Sequence, residues 1–300
     1  MKFCIEQKLP MPKGKIQCEI TRNGVTRRPP PIFNTFTTYG INAYIGASSH
    51  SASNIFRNIG ISFDTTEITN AGTEFGSAVG GISAATGAVT SETIEGSPYY
   101  VIRRTRIYEP GAVDGIVRQF GTFQTASSDS LCCGRTVAPE DGVEVTIEDQ
   151  LTVHYFILIP VLSNPQTLYT GTITLGGDAG GTDVDVTYER QQFVDADRPY
   201  FPDPSRARVK VNGTVLNSAN YNSTVVKTTN DLENGEVEWT QDIRIRASAG
   251  NLNINNIEFF DGYVTGSVYF IGKLSFATAL VKSNMRKLDI QVRYKLTWDW

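Results

Sequence analysis

Residues 150–159 read QLTVHYFILI, and the segment alternates almost without a break. Leu151, Val153, Tyr155, Ile157 and Ile159 fall on one side of an extended chain, because successive side chains of a strand point to opposite faces. Working back from it, Val101–Tyr108 is a second strand, with Ile102, Arg104, Arg106 and Tyr108 on one side and Val101, Arg103, Thr105 and Ile107 on the other. Pro110-Gly111 ends it, since proline presets a turn dihedral that glycine tolerates. Ile116–Phe120 is a short returning strand. Together these predict antiparallel sheet with a core built from alternate residues.

A weaker copy of this plan lies at the C-terminal end. Shifted by 139 positions, Leu151, Val153, Tyr155, Ile157 and Ile159 meet Ile290, Val292, Tyr294, Leu296 and Trp298. IRRTRIY at 102–108 aligns with DIRIRAS at 242–248, each followed by a small-residue turn. The pattern suggests a duplicated unit.

Three hundred residues suit two domains of ordinary size. Twenty-seven glycines, abundant Thr, Ser and Asn, and a charged fraction of only 19% favour a folded all-β chain. No apolar run is long enough to span a membrane, and residues 1–10 lack the apolar centre of a secretory signal. Net charge is −4 but uneven. Residues 1–31 carry Lys2, Lys8, Lys13, Lys15, Arg22, Arg27 and Arg28 against only Glu6 and Glu19. Two readings of this proline-studded basic arm stand: a docking segment for an acidic neighbour, or a solvated terminus. Nucleic acid is not the expected partner, because Phe3 is the arm's only stacking ring and no binding module is recognisable.

In chain order, Lys15–Ile20 and Val25 flank Arg22-Asn23-Gly24, a hairpin signature, and Pro29–Pro31 forms a stiff spacer. Thr35–Ile45 and Phe63–Thr69 are expected strands, with one short helix through Arg57 capped by Ser51 or Ser53. The Gly/Ala/Ser-rich stretch 70–89 reads as a surface loop or as a segment ordered by a neighbouring subunit. Residues 160–167, PVLSNPQT, form the linker. Leu168–Leu175, Val184–Phe193 and a hairpin about Asn212-Gly213 open the second domain.

Catalytic signals are poor. His50 sits in a serine-rich loop and His154 on the outer side of its strand, and no nucleophile elbow accompanies either. GGDAGG at 176–181 precedes a strand-like alternation, so it reads as a turn and not as a dinucleotide fingerprint. Asp195/Asp197 and Glu140/Asp141 are loop carboxylates, and Asp178, Asp183 and Asp185 lack a calcium-loop spacing. Cys4, Cys18, Cys132 and Cys133 lack zinc spacing. Adjacent Cys132 and Cys133 point opposite ways, so one of them at most is expected in the core. Cys4 and Cys18 are candidates for an inter-subunit disulfide, the alternative being free thiols in a reducing compartment. At least one of Arg103, Arg104 and Arg106 is expected to pair with a carboxylate at an interface or sheet edge, because unpaired burial is costly.

IGASSHSAS at 45–53, Pro98-Tyr99-Tyr100, RRTRIYEPGAVDGIVRQFG, an xxGR turn and EDQLTVHYFI follow one another in this order. The order resembles a family of structural proteins of tailed bacteriophages, encoded among tail, neck and fibre genes. The likeness spans Ile32–Ile159 and more loosely the second half, including its LTW end. This chain departs at Cys132-Cys133, where the family tends to have an aromatic-serine pair, which leaves the role of Arg135 open. The resemblance implies a virion component in several copies, in contact with copies of itself and with portal, neck or tail proteins, with no cofactor and no catalytic residue. The readings kept beside it are a host-receptor or glycan-binding fibre module, with Tyr200, Phe201 and Trp239 as stacking surface, and a head decoration protein.

The expected architecture is therefore all-β: a basic docking arm at 1–31 and two tandem antiparallel, jelly-roll-like β-sandwich domains at 32–162 and 163–300.

Overall fold

The computed structural model describes residues 2–8, 12–46, 52–70, 75–160, 166–175, 182–190, 207–231, 234–261, 269–282, 284–285 and 288–297. The fold is all-β, in several mainly antiparallel sheets. Two compact units divide the chain. One lies within Pro10–Val161; the other combines Met1–Leu9 with Leu162–Phe193 and Pro202–Asp299.

Strand β1 (Lys2–Lys8) belongs to the second of these units. The first contains β2 (Lys13–Arg22), β3 (Val25–Arg27), β4 (Ile32–Phe36), β5 (Asn58–Ser62), β6 (Ser83–Ala84), β7 (Val89–Ile94), β8 (Ser97–Tyr108), β9 (Gly115–Val117), β10 (Gln119–Phe123), β11 (Leu131–Thr136), β12 (Val143–Val145) and β13 (Gln150–Pro160). β13 lies between β8 and β2, and Leu151, Val153, Tyr155, Ile157 and Ile159 are all buried, as the alternation predicts. The β2–β3 hairpin also forms as expected. Asn23 and Gly24 both take positive φ, +50° and +80°, which a type I′ turn requires.

The two layers of this sandwich are joined at both edges. β4 pairs with β2 through Ile32–Asn34 and with β11 through Thr35 and Phe36. On the far side, β6 pairs with β5, Thr86 bridges Thr105, and β7 pairs with β8. The hydrogen-bonded path therefore returns to its start, and every step of it is antiparallel. Closure removes the exposed edges that an open sheet has to protect.

Several expectations fail here for identifiable reasons. Thr35–Ile45 is not one strand: β4 ends at Phe36 and α1 (Thr38–Gly46) follows. The buried Thr37 caps it, its Oγ1 accepting from the Gly40 N–H at 3.1 Å while its carbonyl accepts from the Ile41 N–H. The short helix α2 (Ala52–Ile55) does form. The strand expected at 63–69 lies earlier, as β5, and 63–69 is irregular. The glycine-rich stretch is not a bare surface loop: Phe75 packs edge-on against Phe123, rings 5.0 Å apart, and Ile68, Leu131 and Ile82 join them. This cover buries every residue of β5 and β10 on both faces.

The cysteines of β11 are covered by other elements. Cys132 and Cys133 are both fully buried, against the expectation of one. Cys133 exchanges a 3.0 Å hydrogen bond with Thr122, and the Cys132 thiol donates to the Ile55 carbonyl of α2. Alternation correctly sends them to opposite sides, but both sides are covered.

The second unit is a sandwich of two sheets. One has the order β1, β22 (Leu288–Thr297), β19 (Glu236–Ile245), β18 (Tyr221–Asp231). The other has the order β14 (Gln166–Leu175), β15 (Thr182–Arg190), β21 (Tyr269–Lys282), β20 (Leu252–Asp261), β16 (Ala207–Val211), β17 (Thr214–Val215). Val186, Tyr188, Val209, Ile257 and Leu274 from one meet Ile243, Ile245 and Ile290 from the other in a single core. Asn212 and Gly213 turn the β16–β17 hairpin as predicted.

β13 and β22 hold similar places, each between two strands, but the proposed repeat fails strand by strand. Ile157 pairs with Ile102, whereas Leu296 pairs with Val237, five residues out of step with the sequence alignment. An odd slip reverses faces. Arg104 is accordingly buried, while its aligned counterpart Arg244 is exposed and bonded to Asp289.

Candidate functional site

The expected docking arm is not an arm. β2 is an interior strand of the first unit, with Ile16, Cys18 and Ile20 buried beside their cross-strand partners Tyr155, Val153 and Leu151. The apolar alternation of 16–20 outweighs the surrounding charge. Only β1 lies apart, paired in parallel with β22.

The basic residues serve the fold. Arg22 forks onto Asp149, Nε to Oδ1 at 2.8 Å and Nη2 to Oδ2 at 2.9 Å, and also reaches the Thr146 hydroxyl. Arg27 donates to the Glu144 carbonyl, and Arg28 pairs with Glu19 at 2.8 Å. Lys13 is exposed and Lys15 half-buried, both on β2. Lys2 and Lys8 lie on β1, opposite Gln291 and Thr297.

The inter-subunit disulfide through Cys18 is corrected too. Its thiol is a free one on the inner side of β2, 1% exposed, and burial pushes its pKa up to about 12. Cys133 rises to about 12 for the same reason, and Cys132 also rises. Buried neutral thiols are inert.

Arg103, Arg104 and Arg106 divide by face. Arg103 points outward, 2.5 Å from Glu92 and 5.8 Å from the Phe156 ring centroid. It is the carboxylate-paired member, but on the solvent side and within one unit. Arg104 and Arg106 turn inward to the closing seam, where carbonyls receive them. Arg104 Nε donates to the Phe56 carbonyl at 3.1 Å. Arg106 donates to Ile59, Gly81 and Gly80 carbonyls at 2.6, 2.7 and 2.7 Å and lies 4.2 Å from the centroid of the Tyr108 ring. These two side chains stitch β8 to β5 and its cover; the sequence shows arginines on an apolar face but not the carbonyls that greet them.

Asp149 closes the 146–149 turn that launches β13. It accepts from the Thr146 N–H at 2.8 Å and from the Arg22 fork. Those donors, Arg22 first, hold its carboxyl well below the usual carboxylate range. A depressed folded-state pKa stabilises the fold above the unfolded value and loses that contribution as pH falls. Stability should thus decline as pH drops below about 4, and Asp149→Asn should flatten that decline. Urea midpoints measured from neutral to acid pH check this; an unchanged acid slope in the variant refutes it.

One broad groove is lined by residues of the first unit. β4 and β11 stay paired only through Thr35–Phe36, and beyond that Ile32–Asn34 and Arg135–Val137 diverge. The opening, about 960 Å³, runs between Pro29–Pro31 and the 138–144 loop. Arg27, Arg28 and Arg135 face Glu140, Asp141 and Glu144 across or along it, and Phe33 stands 69% exposed at its wall. On its lining, Asn34 donates to the Cys133 sulfur at 3.0 Å, and its buried Oδ1 has no hydrogen-bond partner among the described residues. Mixed charge, proline and exposed aromatic surface suit a contact surface for an extended chain.

His154 lies on the outer side of β13. Its Nδ1 is 2.9 Å from the Thr105 hydroxyl and its Nε2 3.8 Å from Glu19. Asp185 accepts from Thr172, and among the described residues no group of three or more His, Cys, Asp or Glu is placed to hold a metal ion. His50, Asp178, Asp195, Asp197, Tyr200 and Phe201 lie outside the described residues. In the second unit, Arg244–Asp289, Gln291–Asp242, Arg293–Glu238 and Lys295–Glu236 form a ladder of cross-strand pairs on β19 and β22.

Compared with known proteins, the chain matches no family model, no curated protein and no solved structure.

Proposed function

We propose that this chain is a structural building block of a tailed-phage particle, present in several copies at a collar, neck, fibre or tail-surface position. The sequence resemblance is the source of that reading. The observation that supports it is how the motif carrying the resemblance, RRTRIYEPG, is used: Arg104 and Arg106 bind carbonyls at a seam, and Arg103 binds Glu92. Its charges go to holding a sheet closed. The groove at 27–34 and 135–144 adds a surface on which a neighbouring protein can rest.

The test is mass spectrometry of gradient-purified particles produced by cells that carry this gene. The chain should be a stoichiometric particle component, and a particle reconstruction should place it in repeated copies. Its presence in the lysate but not in particles would overturn the reading. Affinity of the isolated protein for host polysaccharide, with no place in the particle's wall, would favour a glycan-binding module instead.

A further inference from the structure

We infer that β1 is an exchangeable strand, and that the edge of β22 on which it lies is a docking slot for the same strand of a second copy of this chain. This stands apart from the virion reading and holds for the purified protein.

The reason is topological. β1 runs alongside β22 in parallel register over seven residues, from Lys2 opposite Gln291 to Lys8 opposite Thr297. Every other strand pair described is antiparallel. Parallel neighbours need a long crossover; here the crossover contains the whole first unit, Pro10–Val161. β1 is assigned to the second unit although 10–161, the chain that follows it, is assigned to the first, so β1 joins it as a ligand strand would. Its pairing partners are the same whether β1 comes from its own chain or from another, which is the condition for low-cost exchange.

Residues 9–12, LPMP, separate β1 from β2, and five residue steps from Lys8 to Lys13 span roughly 17 Å at full stretch. The slot itself must be filled: without β1, β22 presents an unpaired row of backbone groups, the kind of edge that recruits a strand. β1 alternates Phe3 and Ile5 with Lys2, Cys4 and Glu6, and the register places Phe3 and Ile5 beside Val292 and Tyr294. The basic termini first read as a charge-driven arm are on this account the flanks of a strand that docks by backbone pairing.

Two experiments on the full chain decide it. In a Cys4→Ser background, differently tagged Lys2→Cys and Gln291→Cys chains are mixed, refolded together and oxidised. A disulfide-linked pair containing one of each tag, increasing in yield with protein concentration, is expected. If only a doubly substituted chain links, and always within itself, β1 is confined to its own chain; no link in either arrangement refutes the register. Independently of any cysteine, the full chain refolded at high concentration should show dimer or higher species by light scattering, and a chain lacking residues 2–8 should lose them. The same distribution of species with and without residues 2–8 overturns the inference.

Discussion

Replacing Arg106 by alanine should destabilise the first unit by about 2–3 kcal/mol, the sum expected when several charge-assisted hydrogen bonds at a half-buried site are lost. Its guanidinium serves three carbonyls, on Ile59, Gly80 and Gly81, and lies over Tyr108. Tyr108 is itself 3% exposed, so the arginine also roofs an aromatic ring. Arg106→Lys should recover less than half of the loss. An ammonium is a point charge without the planar fork that reaches separated acceptors and stacks on a ring. Calorimetry gives the total, and hydrogen exchange of 97–108 gives the location. Faster exchange should be confined to β5, the 80–86 segment and β8, where the seam lies. Uniform change across both units, or full rescue by lysine, would show that the guanidinium does not stitch this edge.

Gly40→Ala is the second large effect, and two principles disagree about its sign. Within a helix interior, alanine is more stable than glycine by about 1 kcal/mol. Against that, a Cβ at position 40 would overlap the carbonyl oxygen of Cys132, a backbone atom of β11. Backbone cannot swing aside as a side chain can, and overpacking costs about 1–3 kcal/mol or more. The contact lies beside the Thr37 cap, whose hydroxyl also donates to the Leu131 carbonyl at 2.5 Å. Displacing α1 therefore disturbs its own N-terminus. The clash should win, giving a net loss of about 2 kcal/mol. Asn42→Ala on the same helix, at an exposed position, is the control, expected neutral or slightly stabilising. If Gly40→Ala proves as stable as wild type in urea unfolding, α1 does not pack on β11 this closely.

What was legible in the sequence is what local pattern controls. Period-two alternation at 151–159 placed β13 and its buried face, and Asn-Gly pairs located both hairpins, because a positive φ at two successive residues has few other sources. Pattern failed where the outcome depends on a distant partner. Alternation states which side a residue faces but not whether that side is covered, so Cys132 and the outer residues of β10 could not be read as buried. The helix α2 that meets Cys132, and the irregular chain from Ile68 to Ile82 that packs on Phe123 and Leu131, have too few apolar residues to announce themselves. Inward arginines at 104 and 106 suggested carboxylates, because unfilled backbone acceptors at a closing seam leave no mark on the sequence. Over the first 31 residues, charge density masks the Ile16, Cys18, Ile20 alternation that makes β2 a core strand. Thr37 was the one clear local signal overlooked: a capping residue three before a glycine, at the start of what alternation made look like strand.

The pairing of Lys2 with Gln291 has a consequence for how a nascent chain matures. Along this sequence β1 is synthesised before β22, and synthesis at about 5–20 residues per second separates Lys2 from Gln291 by roughly 15–60 seconds. All the strands described in the first unit, the last of them β13, are made before that interval ends. For that time β1 is without the edge it pairs with in the finished fold, so where translation is crowded, a completed neighbour's β22 is the edge within reach.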